Sequence, residues 1–222
     1  MTDWHPFTVA SAPSAPTTFV TIKSMGTGTW TQQLLQHVRQ CARDGEPAPE
    51  VWIDGFYGNV PDISKAAVVV CMSGGIGVTP FTSLLQELLA RSRKDAAAAA
   101  GSARHPHLHF VWSVRSLPLL QLFQPLLDLA LTADATSASP FLCKVDVRVH
   151  MTNAQGSPPA FVQRGRPDAP AIFQSVADRV AAGEFSAGDV VVLGCGPQEL
   201  IDQASELSFK HGFAFHKEEF HF

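Results

Sequence analysis

Two glycine-rich turns, Gly74-Gly75-Ile76-Gly77 and Gly194-Cys195-Gly196-Pro197, each follow an apolar run and each precede a stretch with helical spacing. Glycine permits positive φ and close backbone approach, while a following helix N-terminus offers unpaired N–H groups and the positive end of its dipole. A dinucleotide pyrophosphate suits that chemistry. Gly77-Val78-Thr79-Pro80 makes a good helix entry, because proline in the first turn gives up no hydrogen bond. Either turn alone is compatible with an ordinary strand-to-helix connection. Two strand ends so equipped would flank one crevice, at the carboxyl edge of an open sheet where ligands of this kind bind. Cys195 then reads in two ways, as a small buried apolar side chain or as the group against which a nicotinamide lies.

Arginines come next. Arg115 closes the run Trp112-Ser113-Val114-Arg115, and Arg166 sits in Gly165-Arg166-Pro167, with Arg164 as a competitor. An arginine at the carboxyl edge can grip a ribose 2′-phosphate through two parallel hydrogen bonds, which favours NADPH over NADH. A solvated surface role is the alternative for each. His105, His107 and His109 alternate along one strand, but no matching cysteine or carboxylate cluster accompanies them in the sequence, so strand-edge histidines are the better reading and no metal is expected. No GxSxG, HExxH or P-loop occurs, and hydride transfer requires no acid–base dyad.

The elements that would hold these residues follow from periodicity. The chain has 222 residues, 45% of them hydrophobic, enough for one large domain or two small ones. Its net charge of -4 provides no broad positive field for nucleic acid or an anionic membrane surface. Four cysteines without a CxxC pair argue against a zinc site or disulfide scaffold and fit a reducing compartment. No apolar run approaches the ~20 residues of a membrane helix.

Residues 7–23 read as strand, loop, strand; a helix is expected from Thr31 to about Asp44, and a short strand at Val51-Trp52-Ile53. From about residue 65 the pattern changes to continuous apolar runs, expected for parallel strands covered on both faces. Strands at 67–72, 108–113, 144–150 and 190–193 alternate with helices after Thr79 and at 119–131, 172–180 and 199–209, a doubly wound α/β pattern. The segments 95–104 and 132–140 read as surface insertions without chemistry.

These segments, in this order, resemble the ferredoxin-NADP reductase-like dehydrogenase domain of the NADPH oxidase and ferric reductase family. His5-Pro6-Phe7-Thr8 is similar to the family's HPF[ST] flavin motif, Lys23 falls where an arginine usually lies beside the FAD phosphates, and Trp30-Thr31 matches its Trp-Thr pair. The run from Gly74 through Gly75, Gly77, Val78, Thr79 and Pro80 resembles the GxGIGVTP loop, which implies Thr79 near the nicotinamide. Arg115, Gly165-Arg166-Pro167 and Cys195-Gly196-Pro197 match the strand-end arginine, the GRP segment and the CGP turn. The ending His216-Lys217-Glu218-Glu219-Phe220 resembles the oxidase tail, whose aromatic covers the flavin; here Phe220 or Phe222 is the candidate lid. Departures are Lys23 in place of arginine, Phe56 in place of proline in Gly55-Phe56-Tyr57-Gly58, and Ala169 where a tryptophan often follows GRP.

The resemblance implies residues 1–64 as part of an antiparallel FAD-binding β-barrel whose earlier strands precede the chain, and 65–222 as a doubly wound NADPH-binding domain. It implies hydride passing from NADPH to FAD, then single electrons passing to haem in a membrane domain of the parent chain and on to dioxygen. The chain itself is expected on the cytosolic face. A ferric-chelate reductase, a soluble flavin reductase and a non-catalytic fragment are the alternatives.

Overall fold

The structure is a computed structural model and describes residues 4–58, 61–97, 105–135, 143–153 and 157–218. The chain divides into two compact units: the segment up to Val20 together with 62–222, and Thr21–Pro61.

The larger unit is built on a parallel sheet of six strands: β1 (Val68–Gly74), β2 (His107–Val114), β3 (Val145–Met151), β4 (Val162–Arg164), β5 (Val190–Cys195) and β6 (Ala214–Lys217), in spatial order β4-β3-β2-β1-β5-β6. The valine-rich run of β1 makes it central, and every residue of β1 is buried. Alternate side chains of the strands feed two cores. Val69, Cys71, Phe110 and Trp112 pack on one face against Phe81 and Leu85 of α2 (Thr79–Ala97) and Phe123 of α3 (Leu117–Ala135). Val68, Val70, Met72 and Val111 pack on the other against Ile172 and Phe173 of α4 (Ala169–Ala181) and Ala204 of α5 (Gln198–His211). The expected doubly wound α/β architecture is therefore present.

Two strands were not legible in the sequence. β4 has three residues and β6 four, too short for a period-2 pattern to emerge. The stretches read as insertions are in part helix, since α2 runs to Ala97 and α3 to Ala135. Alanine is the best helix former, so an Ala-rich tail prolongs a helix that has already nucleated. Asp95 also makes an ion pair there, 3.0 Å from His105. Residues 98–104 and 136–142 lie outside the described residues.

The two strands expected within 7–23 reduce to a single antiparallel bridge, Val9 with Val20, supported by the Ala10 N–H to the Phe19 carbonyl at 2.9 Å. Side chains of α2 hold this segment. Gln86 Oε1 accepts from the Ala12 N–H, Glu87 Oε2 accepts from the Ser14 N–H, and the Ser83 hydroxyl donates to the Ser11 carbonyl at 2.8 Å.

The smaller unit carries α1 (Trp30–Asp44), capped by the Thr29 side chain at its start and by left-handed Gly45, φ 71°, at its end. The strand expected at Val51-Trp52-Ile53 does not form, and the three side chains are exposed. An extended segment becomes a strand only when a neighbour pairs its backbone.

The amino end of β2 buries a titratable cluster in the larger unit. His107 and His109 have ring centroids 4.3 Å apart, and His109 Nδ1 lies 3.2 Å from Asp146 on β3, which Arg148 also bonds. Arg179 of α4 reaches His107 Nδ1 at 2.8 Å. A guanidinium can only donate, so that nitrogen must accept and the His107 proton sits on Nε2, which is buried without a partner. Burial, with the neighbouring His109, Lys144 and Arg179, pushes His107 from 6.5 down to about 3. Asp146 is held below the usual carboxylate range by its bond to His109 and by Arg148. Burial and Arg148 lower His150 as well.

The unfolded chain takes up the His107 proton near 6.5 and the folded chain only near 3, so this stabilisation is complete above pH 6.5 and is lost as the pH falls towards 3. Asp146 adds loss of the same sign below 3.8, the ordinary value of an aspartate carboxyl. The melting temperature should therefore fall as the pH drops below 6.5, and less steeply in His107→Gln, which keeps an acceptor for Arg179 but does not titrate. Parallel melting-temperature profiles for the two proteins would show that His107 is not the group responsible.

Candidate functional site

β1 and β5 are adjacent, and their register pairs Ser73 with Cys195, so both strands end together at one edge. The two glycine turns meet there backbone to backbone. A Cβ on Gly74 would lie 2.4 Å from Pro197 Cδ, one on Gly77 2.6 Å from the Cys195 carbonyl oxygen, and one on Gly196 2.8 Å from the Gly74 nitrogen. Gly196 also has φ +154°. These glycines serve the packing of one turn on the other. Gly75 differs: its φ is +57° and nothing lies within 4 Å of a Cβ there, so the first turn stays open above it.

Trp112 pins that turn from the neighbouring strand, its Nε1–H donating to the Gly75 carbonyl at 2.9 Å. The Thr79 hydroxyl donates to the Ile76 carbonyl at 3.1 Å, leaving its oxygen lone pairs as acceptors, and the residue is buried. Val78 is buried beneath the turn and Pro80 is half-buried. Side chains cap α1 and α4, through Thr29 and Asp168. Neither the 3-10 turn Gly75–Val78 after Gly74 nor α5 after Pro197 has a side-chain cap. Donors at the carboxyl edge are thus left to a ligand, and an open glycine cradle between two such turns fits the phosphates of a dinucleotide.

Cys195 is 5% exposed, and burial with the nearby Glu218 carboxylate pushes its thiol up to about 11. It is a neutral thiol at neutral pH. The Glu218 N–H donates to the Gly194 carbonyl at 2.9 Å, so the main chain leaving β6 passes the second turn at this same edge. Burial raises the Glu218 carboxyl, against an opposing pull from His216. Phe220 and Phe222, the candidate lid, lie outside the described residues.

Arg115 follows β2 and is exposed. Arg166 lies between β4 and α4, after Gly165 with φ +95°, whose N–H bonds the carbonyl of Met151 at the end of β3. Its Nη1 donates to Glu199 Oε1 at 2.8 Å, in the first turn of α5. Arg166 thus belongs to the same carboxyl edge as the glycine turns. Arg164 is an exposed member of β4.

Of the flavin-motif residues, His5, Pro6, Phe7 and Thr8 belong to the larger unit. His5 and Phe7 ring centroids are 6.5 Å apart, and the Thr8 hydroxyl is buried without a partner. An orphaned hydroxyl in a segment otherwise docked on α2 fits a polar group supplied from outside the chain. Lys23, Trp30 and Thr31 belong to the smaller unit. There Lys23 is exposed, Trp30 is half-buried, and Thr31 Oγ1 accepts from the Met25 N–H at 2.9 Å.

Among the described residues no group of three His, Cys, Asp or Glu could hold a metal ion. Glu199, Glu218 and Trp112 are the functional-edge residues that sequence reasoning missed. Each makes its contact across more than 20 residues of sequence, and nothing local marks it.

Comparison with known proteins agrees with this geometry. The ferric reductase NAD binding domain family matches residues 66–163 and an FAD-binding domain family matches residues 1–61. The chain belongs to the NADPH oxidase and ferric reductase family. NADPH oxidase 1 of Rattus norvegicus is 32% identical over 127 residues, 57% of this chain and 21% of that protein. Ferric reduction oxidase 4 of Arabidopsis thaliana is 33% identical over 94 residues, 42% of this chain and 13% of that protein. The matched region thus spans 21% and 13% of the length of these two family members. The flavohemoglobin of Malassezia yamatoensis, solved with FAD and heme, shares the fold with TM-score 0.58 and 22% identity, over 96% of this chain and 45% of that one. A ferredoxin NADP+ reductase from Neisseria gonorrhoeae gives TM-score 0.53 at 15% identity, over 97% of this chain and 79% of that one.

The turn-on-turn packing in this family member is directly testable. Gly196→Ala meets both a backbone contact and a positive φ, and should lower unfolding free energy by about 1–3 kcal/mol in chemical denaturation. Gly75→Ala meets only the positive φ and should cost about 1 kcal/mol. Equal midpoints for the two variants would show that the turns separate without cost.

Proposed function

We propose that the chain passes hydride from NADPH to FAD as the dehydrogenase portion of a superoxide-generating NADPH oxidase. The observation that carries this reading is the meeting of two glycine turns, the first open at Gly75, with Arg115 and Arg166 at one sheet edge, in a chain matched by both the FAD-binding and the NAD-binding domain families. When bound, the two cofactors supply the hydride donor and an acceptor able to release its electrons singly.

The residues of the chain bind and orient. Backbone N–H groups around Gly75, Gly77 and Gly196 meet the pyrophosphate, with Pro197 and Pro80 shaping the turns. Arg115 and Arg166 take the 2′-phosphate. Val78, Thr79 and Cys195 form the wall for the nicotinamide: Thr79 offers an oxygen acceptor to its carboxamide, and the neutral Cys195 thiol excludes water without adding charge. By the family resemblance, His5, Pro6, Phe7 and Thr8 of the larger unit would hold the flavin, the Thr8 hydroxyl offering a hydrogen bond, while Lys23, Trp30 and Thr31 of the smaller unit match positions that the family uses for FAD. By the same resemblance, a tail aromatic, Phe220 or Phe222, would cover the flavin until nicotinamide displaced it.

In the parent chain a haem-bearing membrane domain would take the electrons one at a time and reduce dioxygen, two superoxide ions for each hydride. No helix among the described residues is long and apolar enough to cross a membrane. A haem-bearing membrane partner and a cytosolic placement of this portion are carried over from the likeness to the NADPH oxidases. Ferric-chelate reduction is the second reading, favoured by the 33% identity to a plant ferric reduction oxidase.

Anaerobic absorbance of the chain with added FAD tests the hydride step. NADPH should bleach the flavin band, and NADH should do so more slowly; no bleaching by either would remove the dehydrogenase reading from this chain. Removing Phe220, His221 and Phe222 should raise the rate with NADH, because no aromatic then competes with nicotinamide. An unchanged rate would rule out a lid at the tail.

A further inference from the structure

We propose that Glu199 sets how strongly the site discriminates between 2′-phosphorylated and unphosphorylated nucleotides, by competing for Arg166. This rests on the reading that Arg166 takes the 2′-phosphate. Arg166 is not a vacant anion site, since the Glu199 carboxylate already accepts from its Nη1 at 2.8 Å. That bond and the charge of Arg166 hold the Glu199 carboxyl below its ordinary range, so it is ionised at neutral pH. Both side chains are mostly exposed, 68% and 74%, so the pair can open at low cost.

Position sharpens the argument. Glu199 lies in the uncapped first turn of α5, immediately after Gly194-Cys195-Gly196-Pro197. The helix dipole favours a negative charge there, and the carboxylate occupies the end that an incoming phosphate also seeks. A 2′-phosphate must take over donors of Arg166 from Glu199 and then lie near a like charge. A free 2′-hydroxyl has neither difficulty, because it can donate to the carboxylate, as an acidic residue does towards the ribose in NAD-binding sites. One residue thus weakens the phosphorylated ligand and supports the unphosphorylated one, and Arg166 alone overstates the preference for NADPH.

Binding can be read without flavin and without turnover. The chain is titrated calorimetrically with 2′,5′-ADP and with 5′-AMP, as wild type, Glu199→Gln and Arg166→Ala, after matched melting temperatures establish that each is folded. Glu199→Gln should bind 2′,5′-ADP about fivefold more tightly, the scale of an exposed ion pair, while 5′-AMP binds equally or more weakly. Arg166→Ala should weaken 2′,5′-ADP and leave 5′-AMP unchanged. If Arg166→Ala weakens 2′,5′-ADP but Glu199→Gln leaves the ratio of the two affinities at its wild-type value, the role of Glu199 is overturned and that of Arg166 stands. If Arg166→Ala leaves 2′,5′-ADP unchanged, the reading of Arg166 fails and the competition falls with it.

Discussion

The contact on which the site depends is steric: two glycine turns, at the ends of neighbouring parallel strands, touching through their backbones. Gly74 and Gly196 approach so closely that a Cβ on either would lie within 3 Å of the opposite turn. The approach is possible because β1 and β5 are adjacent and in register to their last residues. Parallel pairing brings both turns to the same edge, and the valine-rich, doubly buried β1 makes that pairing central. Trp112 then ties the third strand to the Gly75 carbonyl, so three strands fix one turn. The cradle is rigid because its walls hold one another, leaving only Gly75 open above.

The two edges of the sheet divide the polar residues by function. At the amino edge, His107, His109, Asp146, Arg148 and Arg179 bond one another within the fold. Such a cluster specifies how α4 and β3 sit on β2, and the His107 imidazole stays neutral because burial and neighbouring cations disfavour a further charge. At the carboxyl edge Arg115 is exposed, and Arg166 pairs with Glu199 at the surface. Charge that is weakly committed can be transferred to a ligand. The net charge of -4 over the chain makes such local cations the means of holding phosphate.

What the sequence revealed followed from period and from the chemistry of glycine. The apolar runs of β1, β2, β3 and β5, the helices between them and the adjacency of the two turns were all legible, because each rests on local pattern plus the rules of parallel sheets. β4 and β6 were not, since three and four residues carry no period. The strands expected at 7–23 and 51–53 have the right composition but lack the paired neighbours that a ladder needs, and only Val9 and Val20 meet. Arg166 was found from its type and its place in Gly165-Arg166-Pro167, whereas Glu199 was overlooked. An acidic residue in a first helical turn is what the dipole favours anywhere, and only the fold brings it to an arginine 33 residues away.

Around Cys195 the same edge changes character, and the change suits the reaction proposed. Its thiol is raised to about 11 and the Glu218 carboxyl is raised too, both chiefly by burial. A neutral thiol offers a phosphate nothing to hold but suits a nicotinamide ring, whose hydride leaves without a proton being taken from any side chain. A thiolate or a cation at this place would bias the charge of the ring instead of merely orienting it. The edge therefore runs from the exposed Arg115 and Arg166 to a buried, neutral thiol. On the proposed reading, that gradient would orient a dinucleotide with its adenosine phosphate towards Arg166 and its nicotinamide towards Cys195.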